Sequence, residues 1–350
     1  MRIAQIAPLT ESVPPKLYGG TERIVSYLTE ELVSLGHEVT LFASGDSQTA
    51  ATLEPMSERA LRFHPTLRDA MAPHMAMLET VYRRAHEFDV LHFHLDYWPF
   101  SLFSRGPTPF LTTLHGRLDL PEHAAIHELF PEAALVSISF AQRRGMPQAN
   151  YVKTIHHGLP TELLTPQPVK PSYLAFLGRI APEKRPDRAI RIARRSGRKL
   201  KIAAKVDRVD QGYFDTTIRP LIDGDQIEMI GEIGDAQKSD FLSGAHALLM
   251  PIDWPEPFGL VMIEAMACGT PVIAFDCGSV PEIVDHGMTG FVVDSEDEAV
   301  AAIPRLTRLS RQAIRDRFER RFSAGRMASD YLALYRQLAA TVRPRLRVVS

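Results

Sequence analysis

The sequence predicts an α/β protein of two domains, each a parallel sheet with helices on both faces. Three observations carry this expectation. Short apolar runs alternate with stretches of helical apolar spacing, the pattern of strand–helix–strand units. The alternation stops at a proline-rich segment and then restarts. A length of 350 residues gives each half enough chain for its own core.

The elements follow in order. Residues 2–7 read as a buried strand. Residues 21–35 place Ile24, Val25, Leu28, Leu32 and Leu35 at helical spacing, and Gly36 supplies a stop. Residues 38–43 alternate as the next strand. Residues 89–93, 109–114, 134–137 and 151–155 are further short apolar runs. Four prolines between 159 and 171 then mark a linker over 161–172. The pattern resumes with a strand at 173–177, Gly178, and a helix at 185–196. Strands at 200–204, 226–230, 247–250 and 271–275 alternate with helical stretches. The expected domains are therefore 1–160 and 173–323. A last helix over 324–342 either joins the second domain or crosses back to the first. The basic run Arg343-Pro344-Arg345-Leu346-Arg347 reads as a frayed terminus.

Bulk properties narrow the function. Hydrophobic residues make up 45% and charged residues 23%, the balance of an ordinary globular protein. The net charge of −2 argues against a nucleic-acid partner, which would call for a basic excess. Cys268 and Cys277 lie in one short stretch with no second pair, and reduced thiols are the plain reading. The opening apolar run is broken by Gln5 and stopped by Pro8, too short for a secretory leader. No apolar run reaches membrane-spanning length.

The densest chemical signal is Trp254-Pro255-Glu256-Pro257-Phe258-Gly259-Leu260-Val261-Met262-Ile263-Glu264, continuing to Gly269-Thr270-Pro271. An apolar strand feeds a proline-rich loop, and a helix starts near Phe258. Open α/β sheets bind ligands beyond the carboxyl ends of their strands. A helix start offers unpaired N–H groups to a phosphate or a hydroxyl. Gly259 lets a ligand approach the backbone. Glu256 and Glu264 can accept from hydroxyls at two points of one extended ligand. Taken singly, Glu256 as a helix cap and Glu264 on a solvated face are the plainer readings. The whole string is not explained that way.

A second signal is Gly178-Arg179-Ile180-Ala181-Pro182-Glu183-Lys184, where a strand ends on a glycine and two cations flank a helix start. A planar guanidinium and a point-charge ammonium together suit a diphosphate. A solvated basic stretch is the alternative. Third, Gly19-Gly20 joins the first strand to the first helix and can bend tightly around an anion. It matches neither the dinucleotide fingerprint nor the P-loop. Fourth, His92, His94, Asp96 and Tyr97 follow one strand, and His115 follows another. His92 and His94 share a strand face. Without HExxH or cysteine pairs, polar residues at strand ends are preferred over a metal site. Asp223-Gly224-Asp225 reads as a turn, and Trp98 as core.

The Glu256–Glu264 spacing resembles the E-x7-E motif of retaining glycosyltransferases with the GT-B fold, above all family 4. Gly178, Arg179 and Lys184 match that family's G-R-x-x-x-x-K pattern. Gly19-Gly20, His115 and Gly278-Ser279-Val280-Pro281-Glu282 stand in the expected order. The resemblance covers nearly the whole chain and implies two Rossmann-like domains facing across a cleft. It further implies that Arg179 and Lys184 bind the donor diphosphate, with Gly19, Gly20, Gly178 and the N–H of Leu260 nearby. Glu256 would hold donor-sugar hydroxyls, with the N–H groups of Phe258 and Gly259. Glu264 would bind the ribose, and Ile233 would border the base. His115 would meet the donor sugar near its 6-hydroxyl, and Asp96 and Tyr97 would lie on the acceptor side. Two departures stand out. Ala204-Lys205-Val206-Asp207 replaces a glycine-rich turn, and Lys205 there is a candidate phosphate contact. The His92–Asp96 stretch has one residue more than the common pattern.

The implied activity is transfer of a hexose from a nucleotide diphosphate sugar, of the UDP-glucose or GDP-mannose type, with retention and without a metal or other cofactor. Small-molecule, lipid and polysaccharide acceptors all stay open, as does the oligomeric state. The expected location is the cytoplasm, with peripheral contact at a membrane face left open. The competing readings are a GT-B-like nucleotide-sugar epimerase or phosphorylase and a non-catalytic nucleotide-sugar binding protein. A dehydrogenase ranks last, because the glycine fingerprint is missing.

Overall fold

The computed structural model describes residues 1–16 and 19–341. Its contacts divide the chain into two compact units. The first holds Met1–Ile138, Arg143–Gly158 and the chain from Ala324; the second holds Ser139–Gln142 and Leu159–Ser323. Leu17, Tyr18 and the basic run at 343–347 lie outside the described residues.

Each unit is organised by a parallel sheet whose inner strands are buried along nearly their whole length. In unit 1, β1 (Arg2–Ile6), β2 (Glu38–Ser44), β3 (Thr52–Ser57), β4 (Val90–Phe93), β5 (Phe110–Thr113), β6 (Leu135–Ser137) and β7 (Tyr151–Thr154) form a seven-stranded sheet in the order 3-2-1-4-5-6-7. In unit 2, β8 (Tyr173–Arg179), β9 (Leu200–Lys205), β10 (Ile227–Gly231), β11 (Ala245–Met250), β12 (Val272–Phe275) and β13 (Gly290–Val293) run 10-9-8-11-12-13. The runs at β4 and β12 are buried at every position, because helices cover both sheet faces. Both units are thus Rossmann-like, wound outward from a central first strand. The winding reverses between β1 and β4, and again between β8 and β11. That reversal opens a crevice at the strands' carboxyl ends, where such sheets take ligands.

Two strands lay beyond the reach of the sequence pattern. β3 is polar and contains Pro55, which its edge position tolerates. β13 is an edge strand that opens on Gly290, a residue that weakens a strand pattern. The helix Ala324–Thr341 belongs to unit 1, where the Gln5 amide donates to the Tyr335 hydroxyl at 3.0 Å. Within unit 2, the backbone N–H groups of Phe140 and Ala141 donate to the Glu282 carboxylate at 2.8 and 2.6 Å. The proline-rich stretch is held there too. Arg315 donates to the carbonyls of Thr161, Leu164 and Ala267 at 2.6, 2.7 and 2.6 Å. Among the described residues, no helix is long and apolar enough to cross a membrane.

Candidate active site

In unit 2 the loops after β8 and β11 meet at the winding reversal. β8 ends with Gly178 and Arg179, and a short turn Pro182–Lys184 leads into the helix Pro186–Arg195. Gly178 has open space where a Cβ would stand, room for a ligand. Between turn and helix, Arg185 adopts φ 52°, a left-handed conformation that costs a non-glycine residue about 1 kcal/mol or more. Its guanidinium accounts for the position. It donates twice to Asp187 at 3.0 Å and once to Asp253, in the loop after β11, at 2.6 Å. This clamp fixes the neighbouring Lys184, whose ammonium contacts Glu256 Oε2 and lies 4.6 Å from the centre of the Trp254 ring. The Trp254 indole N–H donates to the same oxygen at 3.0 Å.

Asp187 anchors the clamp. Burial alone would raise its pKa, but hydrogen bonds from Arg185, Tyr213 and Arg191 outweigh it and hold the carboxyl at about 2. A folded-state pKa below the unfolded 3.8 adds stability above that value, and this is lost as pH falls through about 2. The contribution at neutral pH is about 2 kcal/mol. Asp187→Asn is therefore expected to lower Tm at pH 7 and to narrow its gap to the wild type between pH 4 and 2. An unchanged gap over that range would remove Asp187 from the acid response.

Glu256 is held from behind. The Ser279 N–H donates to the Glu256 carbonyl at 2.9 Å, and Ser279 Oγ to the Phe258 carbonyl at 2.8 Å. Gly278 has φ 60°, and a Cβ there would stand 2.4 Å from the Glu256 backbone N and O. Gly278→Ala is expected to displace Glu256 and lower kcat/KM at least a hundredfold, with a drop in Tm of several degrees. Wild-type turnover in this variant would show that the backing does not position Glu256.

Gly259 precedes the helix Leu260–Ala267 with φ 77°. Its conformation, and not ligand approach alone, therefore calls for glycine. The helix starts at Leu260, two residues later than expected. Phe258 is buried, 6.3 Å ring to ring from Phe322. Glu264 is no solvated-face residue. It is 4% exposed, and its Oε1 accepts from Lys238 Nζ at 2.6 Å. Both carboxylates of the seven-residue spacing thus carry a lysine from another segment. Arg179 takes different partners, with Glu183 at 2.9 Å, Asp210 at 3.4 Å and Asp207 at 3.6 Å. Lys205 pairs with Asp207 at 2.9 Å, and Ile233 lies half-buried just past β10.

In unit 1, Gly19 and Gly20 open the helix Gly20–Ser34. A Cβ on Gly19 would stand 2.8 Å from Pro15 Cβ, so close packing excludes a larger residue. His92 and His94, both buried, and the half-buried His115 form one polar group. His94 Nδ1 lies 2.9 Å from His115 Nε2, and His115 stacks on His157 with ring centres 5.2 Å apart. Burial lowers the His115 pKa to about 3, so its ring is neutral at physiological pH. Both ring nitrogens of His92 and of His94 are engaged within the protein. Among the described residues, no three His, Cys, Asp or Glu side chains group as metal ligands. Asp96 is exposed with φ 48°, and Tyr97 is half-buried, 5.7 Å from the His123 ring. Trp98, expected as core, is half-buried and packs edge-on against His74. Asp223 is a turn residue, accepting three backbone N–H groups through Oδ1.

Two family models divide the chain between them. "Glycosyltransferase Family 4" matches residues 18–162, and "Glycosyl transferases group 1" matches residues 165–321. The chain is a family-4 glycosyltransferase of the GT-B fold. This glycosyltransferase is 25% identical to a phosphatidyl-myo-inositol mannosyltransferase of Mycobacterium leprae over the full length of both chains. Its fold matches sucrose-phosphate synthase from Thermosynechococcus elongatus with a TM-score of 0.81, at 20% identity, covering 97% of this chain and 99% of that one. It also matches Anabaena HepE in complex with UDP-glucose, with a TM-score of 0.72 at 18% identity, covering 95% and 100%. The epimerase and non-catalytic readings are not favoured.

Several residues around the candidate site escaped the sequence reading. Lys238 pairs with Glu264 from 26 residues away, and no local pattern announces it. Arg185 and Asp253 are 68 residues apart, and only the fold joins them. His157, Gln5 and Tyr335 come from distant segments, and only the fold collects them around His92 and His94.

Proposed function

We propose that this glycosyltransferase moves a hexose from a nucleotide diphosphate sugar of the UDP-glucose or GDP-mannose type to an acceptor, with retention and without a catalytic metal. The observation that carries the reading is the pairing of Glu256 with Lys184, which joins the loops at the carboxyl ends of β8 and β11, and of Glu264, on the helix after β11, with Lys238, on the helix after β10. Glu256 accepts from sugar hydroxyls while Lys184, beside it, receives the charge that builds on the departing diphosphate. Arg179 joins by exchanging a carboxylate of Glu183, Asp207 or Asp210 for phosphate oxygen, with Gly19, Gly20, Gly178, Lys205 and the Leu260 N–H as further phosphate contacts. Glu264 accepts from the ribose, and Ile233 borders the base. The acceptor attacks the face from which the diphosphate leaves, and the diphosphate takes its proton. His115 lies at the donor sugar, with Asp96 and Tyr97 on the acceptor side. The acceptor is a small molecule, a lipid or a polysaccharide. A cytoplasmic location goes with this reading. HepE, a fold neighbour in complex with UDP-glucose, supports the donor class.

The test is direct. UDP, GDP and ADP are screened by thermal shift, and a panel of nucleotide sugars by nucleotide release without acceptor. One nucleotide is expected to raise Tm, by the equivalent of about 2.7 kcal/mol at a hundredfold excess over Kd. The matching sugar donor is expected to be hydrolysed slowly. No shift with any nucleotide and no release from any sugar would overturn the proposal.

A further inference from the structure

Behind His115, the interior of unit 1 contains a chain of hydrogen bonds that the donor reading does not use. It runs from Thr113 through His92, Tyr335, Gln5 and His94 to His115. Gln5, His92, Thr113 and Tyr335 are fully buried and His94 nearly so, so each proton must be shared within the chain.

The orientation of the Gln5 amide sets the proton order, and counting donors and acceptors carries it along the chain. An amide has a donating nitrogen and an accepting oxygen, and a neutral imidazole has one nitrogen of each kind. The Gln5 Nε2 donates to the Tyr335 hydroxyl at 3.0 Å. Its Oε1 lies 2.9 Å from His94 Nε2, which must therefore carry a proton. Burial holds His94 well below its ordinary pKa, so the ring is neutral and Nδ1 is an acceptor. The proton in the 2.9 Å contact between His94 Nδ1 and His115 Nε2 thus belongs to His115. His115, neutral as well, is left with a bare Nδ1. On the other side, Tyr335 accepts from Gln5 and gives its own proton to His92 Nδ1 at 2.6 Å, and His92 Nε2 donates to Thr113 Oγ1 at 2.7 Å. Thr113 Oγ1 and the Tyr331 hydroxyl close the chain at 2.8 Å. A flipped Gln5 amide would reverse every one of these bonds and place the His115 proton on Nδ1.

We propose that Gln5 is a positioning residue that sets the tautomer of His115 through His94, so that the donor sugar must bring a hydroxyl, and not a carboxylate, to His115. This rests on the reading that His115 meets the donor sugar near its 6-position. An acceptor nitrogen takes an O–H readily, whereas a hexuronic acid would set carboxylate lone pairs against it.

The test needs no variant to begin. In protein labelled with nitrogen-15 at histidine, the His115 ring, assigned with His115→Asn, is expected to carry its proton on Nε2. A proton on Nδ1 overturns the proposal. Gln5→Met should leave His115 divided between tautomers and lower kcat/KM for the hexose donor roughly tenfold, the loss of one oriented hydrogen bond. Tyr335→Phe should keep the tautomer, because Gln5 Oε1 still accepts from His94. A tautomer unmoved by Gln5→Met would remove Gln5 from the chain of control. The wild type should turn over a hexose donor at least a hundredfold better than its hexuronic counterpart. Equal turnover would overturn the substrate half and leave the relay standing. Failure to turn over any nucleotide sugar would instead strike the donor reading, and the tautomer would be unaffected.

Discussion

Lys184→Ala is expected to lower kcat for donor turnover by about a thousandfold, the scale of losing one preorganised charge at a leaving group, ~4 kcal/mol. Two effects combine. The variant removes the cation proposed to stand beside the departing diphosphate. It also leaves Glu256 Oε2, on a side chain 11% exposed, with the Trp254 indole N–H as its remaining hydrogen bond among the described residues. The second effect separates from the first in Glu256→Gln. There the lysine persists, a neutral amide replaces the carboxylate, and the loss should fall mainly on contacts to the sugar. Because the two side chains touch, their effects are expected to couple, and the double variant should be far less impaired than the product of the singles. Steady-state kinetics on the four proteins, with circular dichroism to confirm folding, decide the matter. Strictly multiplicative losses would mean that Lys184 and Glu256 act on unrelated steps.

Arg315→Met is expected to produce the largest loss of stability, about 3–5 kcal/mol, through unit 2. The guanidinium is 8% exposed and gives hydrogen bonds to three carbonyls: two in the proline-rich stretch at Thr161 and Leu164, and one at Ala267, the last residue of the helix that carries Glu264. Methionine fills most of the volume but leaves those oxygens without this donor. Denaturant unfolding should show a lower midpoint with an unchanged slope. Conversely, nucleotide binding at saturating ligand should survive, since Arg315 touches none of the proposed donor contacts. A midpoint within experimental error of the wild type would show that other donors take over the three carbonyls.

The site in unit 2 was legible where chemistry is local. The glycine that ends β8, the cations behind it and the Glu256–Glu264 spacing lie within two short strings, and backbone geometry brings each string to a strand's carboxyl end. What could not be read was how those charges are spent. Arg179 faces three carboxylates, Lys184 rests on Glu256, and Glu264 belongs to Lys238. Apart from Arg179–Glu183, four residues apart in the chain, each pairing joins segments that the sheet order makes neighbours. Two of the four edge strands, β3 and β13, failed for a related reason. β3 is stabilised by pairing with β2, and its polar residues with Pro55 give no apolar signature.

The sequence by itself determined the alternation of strand and helix, the division into two wound sheets and the family, because periodicity and short motifs are properties of neighbouring residues. Tertiary structure alone decided that the last helix belongs to unit 1, and that Gln5, three histidines and Tyr335 are joined by one chain of hydrogen bonds. Such partners lie up to 330 residues apart. Their hydrogen bonds exist only because folding removes the water that would otherwise satisfy each group separately.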